Sequence, residues 1–281
     1  MADLAFDVTE SRAIAKAQAP AILRRRSSSA FDRHGIDHLS PSSLNTWIAS
    51  PSLWVMERLI GRRGPAACAM HRGTAVEAGV AYALFNPAAR VSDCAIHALA
   101  RYDELSAASG DPKREQERGV VAGMIAQAID YLRPLGPPDA PPEGWNQHRI
   151  EIELEDVAVP IIGFLDFEWP GRIKDLKTTM RVPSTMSDAH KRQGAVYRHA
   201  RGNSEVGFVY CSDKKSAELT LEPEDARQAL HELRHSAIRL GRFLSLSADA
   251  YELASIIQPD FSTYHWSDEQ TRALGRVTYG F

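Results

Sequence analysis

Two carboxylates and a lysine, Asp166, Asp175 and Lys177, lie close together in the middle of the chain. The segment reads as two short strands joined by a Pro-Gly turn, with Asp166 on the first strand and the other two residues on the second. Because side chains two residues apart in a strand share a face, Asp175 and Lys177 project together and Leu176 turns the other way. Two carboxylates beside one lysine suit a hard divalent cation and the negatively charged oxygens around a phosphodiester. The pattern therefore predicts a reactive site.

These residues also have purely structural interpretations. Asp166 stands between Leu165 and Phe167, where an unpaired carboxylate would be costly, so a ligand role is favoured there. Asp175 and Lys177 could instead form a surface ion pair across one strand face. Both interpretations of that pair stay open at this point.

Length and composition indicate an ordinary globular protein. A chain of 281 residues can bury one large core or two small ones, and 44% apolar and 25% charged residues are typical of globular domains. No apolar run approaches the roughly 20 residues that cross a bilayer. The first residues also lack the basic, apolar and small-residue order of a secretory signal. We therefore expect a cytoplasmic protein that does not enter a membrane.

The cysteines and the net charge exclude some classes of protein. Cys68, Cys94 and Cys211 are isolated from one another, which favours ordinary thiols over a disulfide framework or a metal clip. The histidines give no expectation of a zinc site. The formal net charge of −3 argues against a protein that covers nucleic acid purely through an overall positive charge. Local basic patches can still bind phosphate.

The local patterns divide the chain into a tail and one folded part. Residues 1–38 include the run Arg24-Arg25-Arg26 and lack sustained periodicity, so they are predicted to be a flexible tail, with 39–281 a single domain. Helical spacing and capping residues predict helices from Pro41 and over 73–84, 91–108, 113–132, 187–200, 223–247 and 248–256. Alternating polar and apolar residues predict strands over 147–157, 160–169, 171–177, 205–211 and 216–221. We expect an α/β fold whose helical N-terminal half wraps a sheet.

A second pair of polar residues lies on the helix predicted over 187–200. Gln193 and Tyr197 are four residues apart and so share a helix face. In chain order, Gly-x-x-Asp, Asp-x-Lys and Gln-x-x-x-Tyr resemble the RecB-like branch of the PD-(D/E)XK nuclease superfamily, which includes phage recombination exonucleases. The matching residues are Asp166, Asp175, Lys177, Gln193 and Tyr197.

The resemblance also covers the segments upstream and in all spans residues 39–270. Leu39-Ser40-Pro41-Ser42-Ser43-Leu44-Asn45 is similar to the opening helix of the family. Gly73-Thr74-Ala75-Val76-Glu77 is similar to its Gly-Thr-x-x-His segment, with Glu77 where many members have histidine and the lambda-type exonucleases have glutamate.

The resemblance implies a fold, a cofactor and roles for these residues. The fold is a restriction-endonuclease-like core, with a central mixed sheet flanked by helices. The implied ligands of Mg²⁺ or Mn²⁺ are Glu77, Asp166, Asp175 and the backbone carbonyl of Leu176. Lys177 is expected to orient the attacking water and stabilise developing charge. Gln193 and Tyr197 are expected to hold that lysine and contact the DNA backbone.

Basic residues near these segments are candidate DNA contacts. They are Arg72, Lys191, Arg192, Arg198 and Arg201. The last four make the 187–200 helix basic, which suits a phosphate backbone, and a solvated basic face is the alternative.

Together these features predict a metal-dependent DNA exonuclease that resects ends in recombination or repair, of a phage or prophage type. A non-cleaving DNA-binding module on the same fold and a structure-selective endonuclease are the alternatives. No Gly-x-x-x-x-Gly-Lys-[Ser/Thr] loop is present, so no use of ATP is expected. The four-cysteine iron–sulfur clasp of some relatives is also missing. A single-strand annealing protein is a partner implied by the resemblance alone.

Overall fold

The structure is a computed structural model that describes residues 29–142 and 147–281. The arginine run at 24–26 lies outside these residues. The helices are α1 (Ala30–Arg33), α2 (Pro41–Ala49), α3 (Pro51–Trp54), α4 (Cys68–Phe85), α5 (Val91–Ser106), α6 (Arg114–Leu132), α7 (Asp188–Ala200), α8 (Pro223–Leu244), α9 (Ala250–Ser255) and α10 (Glu269–Tyr279). The strands are β1 (His148–Ile152), β2 (Ile161–Leu165), β3 (Phe167–Trp169), β4 (Arg172–Thr178), β5 (Glu205–Cys211) and β6 (Ser216–Thr220). Short turns of other helical types span Val55–Leu59, Arg133–Leu135 and Tyr264–Trp266.

In the described residues, the strands form a mixed sheet in the order β3-β4-β5-β6 and a separate hairpin of β1 and β2. β4 and β5 are parallel and the other pairs are antiparallel. Helix α7 makes the crossover that two parallel strands require. The prediction of an α/β fold with a mixed sheet flanked by helices is therefore confirmed.

Both faces of the mixed sheet are buried, and alternate residues of β4 show how. Ile173 packs with α7 and α8 on one side, whereas Leu176 packs with α4, α5 and α6 on the other. Asp175 and Lys177 fall on the same face as Ile173 by their spacing of two. The period-two prediction that Leu176 points away from them is thus confirmed.

The strand predicted over 160–169 is divided into two strands at Asp166. β2 pairs with β1, and β3 pairs with β4, so the two sheets separate at this residue. The cause is a side-chain contact: Asp166 Oδ2 accepts a hydrogen bond from the Leu176 backbone N–H at 2.8 Å. The carboxylate thereby satisfies a donor of β4 that an uninterrupted strand pairing would have used.

Other boundaries differ from prediction because distant groups set them. Helix α4 begins at Cys68 instead of near Gly73, since the carboxylate of Asp111 accepts the Cys68 backbone N–H at 2.8 Å. The strand predicted to reach residue 157 ends at Ile152, ahead of a turn in which Asp156 has a positive φ of 61°.

Part of the predicted N-terminal tail is packed against the domain. Ser29 caps α1 by accepting the Asp32 backbone N–H at 3.1 Å. Phe31 is only 3% exposed and lies against Gly241 of α8. The packed part of the chain therefore includes residues before the predicted boundary at 39.

A buried ion cluster links three strands on the face of β4 opposite Asp175. Lys174 is 4% exposed, and its Nζ lies 2.9 Å from Glu205 Oε1 and 2.6 Å from Glu218 Oε1. The other oxygen of Glu218 accepts a hydrogen bond from the Tyr131 hydroxyl at 2.8 Å. The buried Lys174 ammonium thus has two carboxylate partners, as burial of a charge requires, although Glu205 itself is more than half exposed.

No helix in the part of the chain that the structure describes is both long and apolar enough to span a membrane.

We expect Gly79→Ala to lower the free energy of unfolding by about 1–3 kcal/mol because the interior is already filled there. An added Cβ would lie 2.6 Å from Ile125 Cδ1 and 2.8 Å from Ala98 Cβ, where α4, α5 and α6 meet. Urea denaturation measures the change. The matched control is Gly119→Ala in α6, where a Cβ meets no atom within 4 Å and helix propensity should stabilise by about 1 kcal/mol. Equal effects of the two substitutions would contradict the expectation.

Candidate active site

The candidate site lies where the two sheets separate. β4 contributes Asp175 and Lys177, the break between β2 and β3 contributes Asp166, and α4 contributes Glu77. Helix α7, which packs on the same face, contributes Gln193. The structure thus brings together residues that are far apart in sequence, and their contacts define what each can do.

Asp175 is fully buried and its two oxygens have different surroundings. Oδ2 accepts hydrogen bonds from Gln193 Nε2 and from the Tyr197 hydroxyl, each at 3.2 Å. Oδ1 lies 2.5 Å from Lys177 Nζ but has no hydrogen-bond partner among the described residues. One oxygen is therefore held by two donors, while the other is paired with the Lys177 ammonium.

Gln193 and Tyr197 hydrogen-bond to Asp175, and among the described residues neither hydrogen-bonds to Lys177 as expected. The expected DNA contact of Gln193, which is partly exposed, stays a prediction. The Gln193 amide donates to the Tyr197 hydroxyl at 2.5 Å as well as to Asp175. Tyr197 is 2% exposed, and its hydroxyl also lies 2.7 Å from the Phe164 carbonyl oxygen. A side chain buried in this way cannot reach a DNA strand, so its role is to fix the carboxylate.

Gln147 also lies in the site, although the sequence patterns did not predict it. Its Nε2 donates to Glu77 Oε1 and to Asp166 Oδ1, each at 2.8 Å, so one amide bridges two carboxylates. The signal that could have revealed it is strand register. β1 and β2 pair His148 with Leu165, and one further step along this antiparallel ladder places residue 147 opposite Asp166.

Burial and mutual repulsion raise the pKa of two of the carboxyl groups. The pKa of Glu77 rises to about 7 through burial and the charge of Asp175, against the opposing effect of Lys177. The pKa of Asp166 lies well above its ordinary value, again through burial and then the charges of Asp175 and Glu77. Three carboxylates that repel one another in a buried place are the arrangement that a bound cation relieves.

Lys177 keeps its positive charge in this setting. Burial by itself would lower its pKa, but the charges of Asp175, Asp166 and Glu77 outweigh that effect, so the pKa lies above its ordinary value. The ammonium group also lies 5.6 Å from the centre of the Phe208 ring. Lys177 is therefore a cation at neutral pH and not a base.

The backbone of Leu176 faces the same place. Its N–H donates to Asp166, and in a strand the N–H and C=O of one residue point to the same side. The Leu176 carbonyl is consequently directed toward Asp166, away from β5.

The residues fit a hard divalent cation by their donor chemistry. Glu77, Asp166, Asp175 and the Leu176 carbonyl offer the oxygen ligands that Mg²⁺ and Mn²⁺ prefer, and Asp175 Oδ1 is a buried acceptor with no hydrogen bond. Within residues 29–142 and 147–281, however, no group of three or more His, Cys, Asp or Glu side chains is arranged as a complete metal site. Gln147 and Lys177 instead lie against the oxygens concerned.

The prediction of a DNA contact is wrong for Arg72. This side chain is 5% exposed, and its guanidinium pairs with the buried carboxylate of Glu117 and donates to the Thr178 carbonyl at 3.3 Å. Arg72 therefore ties α4 to α6 and to the end of β4. The local sequence could not reveal this because the partner comes from another helix.

The other predicted DNA contacts are engaged by protein groups. Lys191 pairs with Asp225 at 2.9 Å, Arg192 donates to Asn45 at 2.7 Å, Arg198 donates to the Ser204 carbonyl at 3.0 Å and Arg201 pairs with Glu168 at 2.7 Å. These partners neutralise or occupy the basic side chains. The expectation that Lys191, Arg192, Arg198 and Arg201 contact DNA stays a prediction, and each of them has a protein partner in the structure.

A His-Glu-x-x-His pattern that the sequence reading overlooked lies on α8. His231 and His235 are one turn apart, with ring centres separated by 4.3 Å. In zinc peptidases this spacing supplies two ligands and a glutamate base. Here Glu232 faces Arg192 at 3.5 Å, and the described residues include no third ligand group beside the two rings. The expectation of no zinc site therefore stays a prediction. The His-Glu-x-x-His spacing, which would favour such a site, is nevertheless present in the sequence.

No protein-family model matches this sequence, and no curated protein matches it.

For the metal-dependent DNA hydrolysis that the resemblance implies, we expect Gln147→Leu to reduce the rate by about 10- to 100-fold, in line with the loss of a group that would orient metal ligands. Leucine keeps the bulk but removes the amide that bridges Glu77 and Asp166. The measurement is a Mg²⁺ titration of the rate. The variant should need a higher Mg²⁺ concentration than the wild type to reach half of its maximal rate. Gln228→Leu on the exposed surface of α8 is the matched control. Equal rates for wild type and Gln147→Leu at every Mg²⁺ concentration would contradict the role of the bridge.

We expect the metal-free protein to lose about 1–3 kcal/mol of stability through Glu77 as the pH rises from 5 to 8. The folded-state pKa of about 7 exceeds the ordinary value of 4.5, so folding favours the protonated form. The stabilisation that Glu77 contributes is complete below the ordinary pKa of 4.5 and is lost as the pH rises through the folded-state pKa of about 7. Urea denaturation in EDTA at several pH values, with Glu77→Gln as the comparison, measures it. The glutamine variant should have a flatter pH dependence, and parallel curves for the two proteins would show the expectation to be wrong.

Proposed function

We propose that this protein is a metal-dependent deoxyribonuclease with a PD-(D/E)XK core of the RecB-like branch, and that it hydrolyses phosphodiester bonds from DNA ends. The observation that carries the proposal is the convergence of Glu77, Asp166, Asp175 and Lys177 at the place where the two sheets separate. These residues follow the order of the family motifs along the chain. The sheet order, with an antiparallel hairpin and then a parallel crossover through α7, supports the same class of fold.

The proposed cofactor is Mg²⁺ or Mn²⁺. Glu77, Asp166, Asp175 and the Leu176 carbonyl would hold it, with Gln193 and Tyr197 keeping Asp175 in position. When bound, such an ion lowers the pKa of a water ligand and offsets charge on the phosphate.

The chain's own residues account for positioning and charge. Lys177 carries its proton, so its ammonium group can bind a phosphate oxygen and orient the attacking water as charge develops on the phosphate. Burial of Asp175 excludes bulk water from one side of the site, which strengthens these interactions. The Gln147 amide keeps the carboxylates of Glu77 and Asp166 on the same side of the site.

Digestion of linear duplex DNA labelled separately at its 5′ and 3′ ends, with Mg²⁺ or with EDTA, tests the proposal. We expect label release that requires the metal and starts from one kind of end. Absence of cleavage with Mg²⁺ and with Mn²⁺ would contradict it. Covalently closed circular DNA separates the exonuclease from a structure-selective endonuclease, because an exonuclease leaves the circle intact.

The proposed biological setting comes from the family resemblance. End resection in recombination or repair, a phage or prophage origin and a single-strand annealing partner follow from the family resemblance and from analogy of fold. Co-purification of the tagged protein with strand-annealing activity would test the partner.

A further inference from the structure

A basic stripe runs along α8, outside the candidate active site. It consists of His231, His235, Arg239 and Arg242, whose spacings of four, four and three residues place them on one helix face. Arg239 and Arg242 are exposed. Among the described residues neither guanidinium forms an ion pair or a side-chain hydrogen bond, in contrast to the engaged basic residues of α7.

Two adjoining cavities lie along this stripe. One, of about 440 Å³, is lined by Ile48 of α2, Arg192 of α7 and α8 residues that include His235 and Arg239. The other, of about 360 Å³, shares His235 and Arg239 and also reaches Arg242. The two cavities, called the groove below, meet at His235 and Arg239, and the first also reaches Arg192, which precedes Gln193 in α7.

Each cavity is lined by one acid, Glu232 in the first and Asp156 in the second, and each acid faces an arginine other than Arg239 and Arg242: Glu232 faces Arg192 at 3.5 Å and Asp156 faces Arg234 at 2.7 Å. Arg234 is paired with Glu155 at 3.1 Å and with Asp156 at 2.7 Å, so it does not belong to the free cations. Burial, followed by the charges of the neighbouring histidine and arginines, lowers the pKa of His235. At neutral pH that ring is an uncharged hydrogen-bond donor, while Arg239 and Arg242 supply the positive charge.

We propose that His231, His235, Arg239 and Arg242 bind backbone phosphates of DNA that extends beyond the cleaved bond. This inference rests on the proposed function for the identity of its ligand. Charge complementarity carries it: unpaired guanidinium groups and imidazole N–H donors along an open groove match a row of phosphates. Arg192 connects the groove to the helix that positions Asp175. The contacts are made to the backbone, so they would not depend on base sequence.

The test is binding of a fluorescein-labelled duplex oligonucleotide, followed by anisotropy in EDTA over a series of salt concentrations. We expect the double variant Arg239→Gln/Arg242→Gln to bind about 10-fold or more weakly at low salt. The slope of log K against log salt should fall by about two, since each phosphate contact contributes about 0.9. The double variant Arg90→Gln/Arg101→Gln, at the start of α5 and within it, makes the same change of net charge at arginines paired with Asp93 and Glu104, and it should bind like wild type.

Three outcomes would overturn the inference. The first is an unchanged affinity and salt slope in the α8 variant, and the second is an equal loss of affinity in the α5 variant. The third is binding of phosphatidylserine vesicles that the α8 variant loses while its DNA binding persists, which would identify the groove as a membrane contact. Failure of the proposed function looks different, because a wild-type chain that binds DNA in EDTA but never cuts it with Mg²⁺ contradicts the nuclease and leaves the groove in place.

Discussion

Replacing Asp175 with asparagine is expected to reduce the rate of DNA hydrolysis by about 10³-fold or more. Asparagine keeps the shape of the side chain and can still accept hydrogen bonds from Gln193 and Tyr197. It removes the negative charge. It also puts an amide NH₂ group in the place of the carboxylate oxygen that faces Lys177, so this position can no longer bind a cation. The initial rate of end-label release at saturating Mg²⁺ measures the loss.

A thermal shift distinguishes this chemical effect from a loss of structure. Mg²⁺ should raise the melting temperature of the wild type, since a ligand that binds the folded state stabilises it, and should not raise that of Asp175→Asn. Without metal, the variant loses the partner of the Lys177 ammonium but also the repulsion with Glu77 and Asp166, so its own melting temperature in EDTA is the reference for the effect of Mg²⁺. Asp130→Asn on the exposed side of α6 is the matched control. Wild-type hydrolysis by Asp175→Asn would remove the basis for the proposed function.

Lys177→Met is the second substitution with a large expected effect, a fall in kcat of about 10²- to 10³-fold. Methionine retains much of the length and bulk beside Phe208 but cannot carry a charge to the phosphate. Because the lysine acts on charge that develops during reaction, the Kd for DNA in EDTA should change by less than a few-fold. Single-turnover hydrolysis and anisotropy separate the two quantities.

The pH dependence of the rate then tests which form of Lys177 is active. A raised pKa keeps the ammonium form through neutral and mildly alkaline pH, so the wild-type rate should not increase as this group loses its proton. A rate that grows above pH 10 would assign Lys177 the role of a base instead. The matched control is Lys214→Met, at an exposed position between β5 and β6. It should leave both kcat and the pH profile unchanged.

Local periodicity was sufficient for the central part of the site. The alternation of β4 predicts that Asp175 and Lys177 share a face, and their ion pair at 2.5 Å confirms it. The spacing of four predicts that Gln193 and Tyr197 lie together on α7, and both meet Asp175. These relations depend on a few neighbouring residues, so a sequence pattern contains them.

The parts that could not be predicted depend on groups distant in sequence. The break at Asp166 follows from a hydrogen bond to the Leu176 backbone, and the burial of Arg72 follows from its pairing with Glu117 on another helix. Gln147 required the register of two strands to be known before its place could be seen. A local pattern gives the direction of a side chain relative to its own element, but not the partner that the fold brings to it.

The buried ion cluster of Lys174 has a consequence for the opposite face of the same strand. Sliding β4 by one position along β5 would turn every side chain to the other face and move Lys174 away from Glu205 and Glu218. An unpaired ammonium group in that environment costs several kcal/mol, so the slipped alignment is strongly disfavoured. The cluster thereby selects the alignment in which Asp175 meets Gln193. The Lys174 cluster takes no part in the proposed chemistry, but it excludes the strand register in which Asp175 and Lys177 would face away from α7.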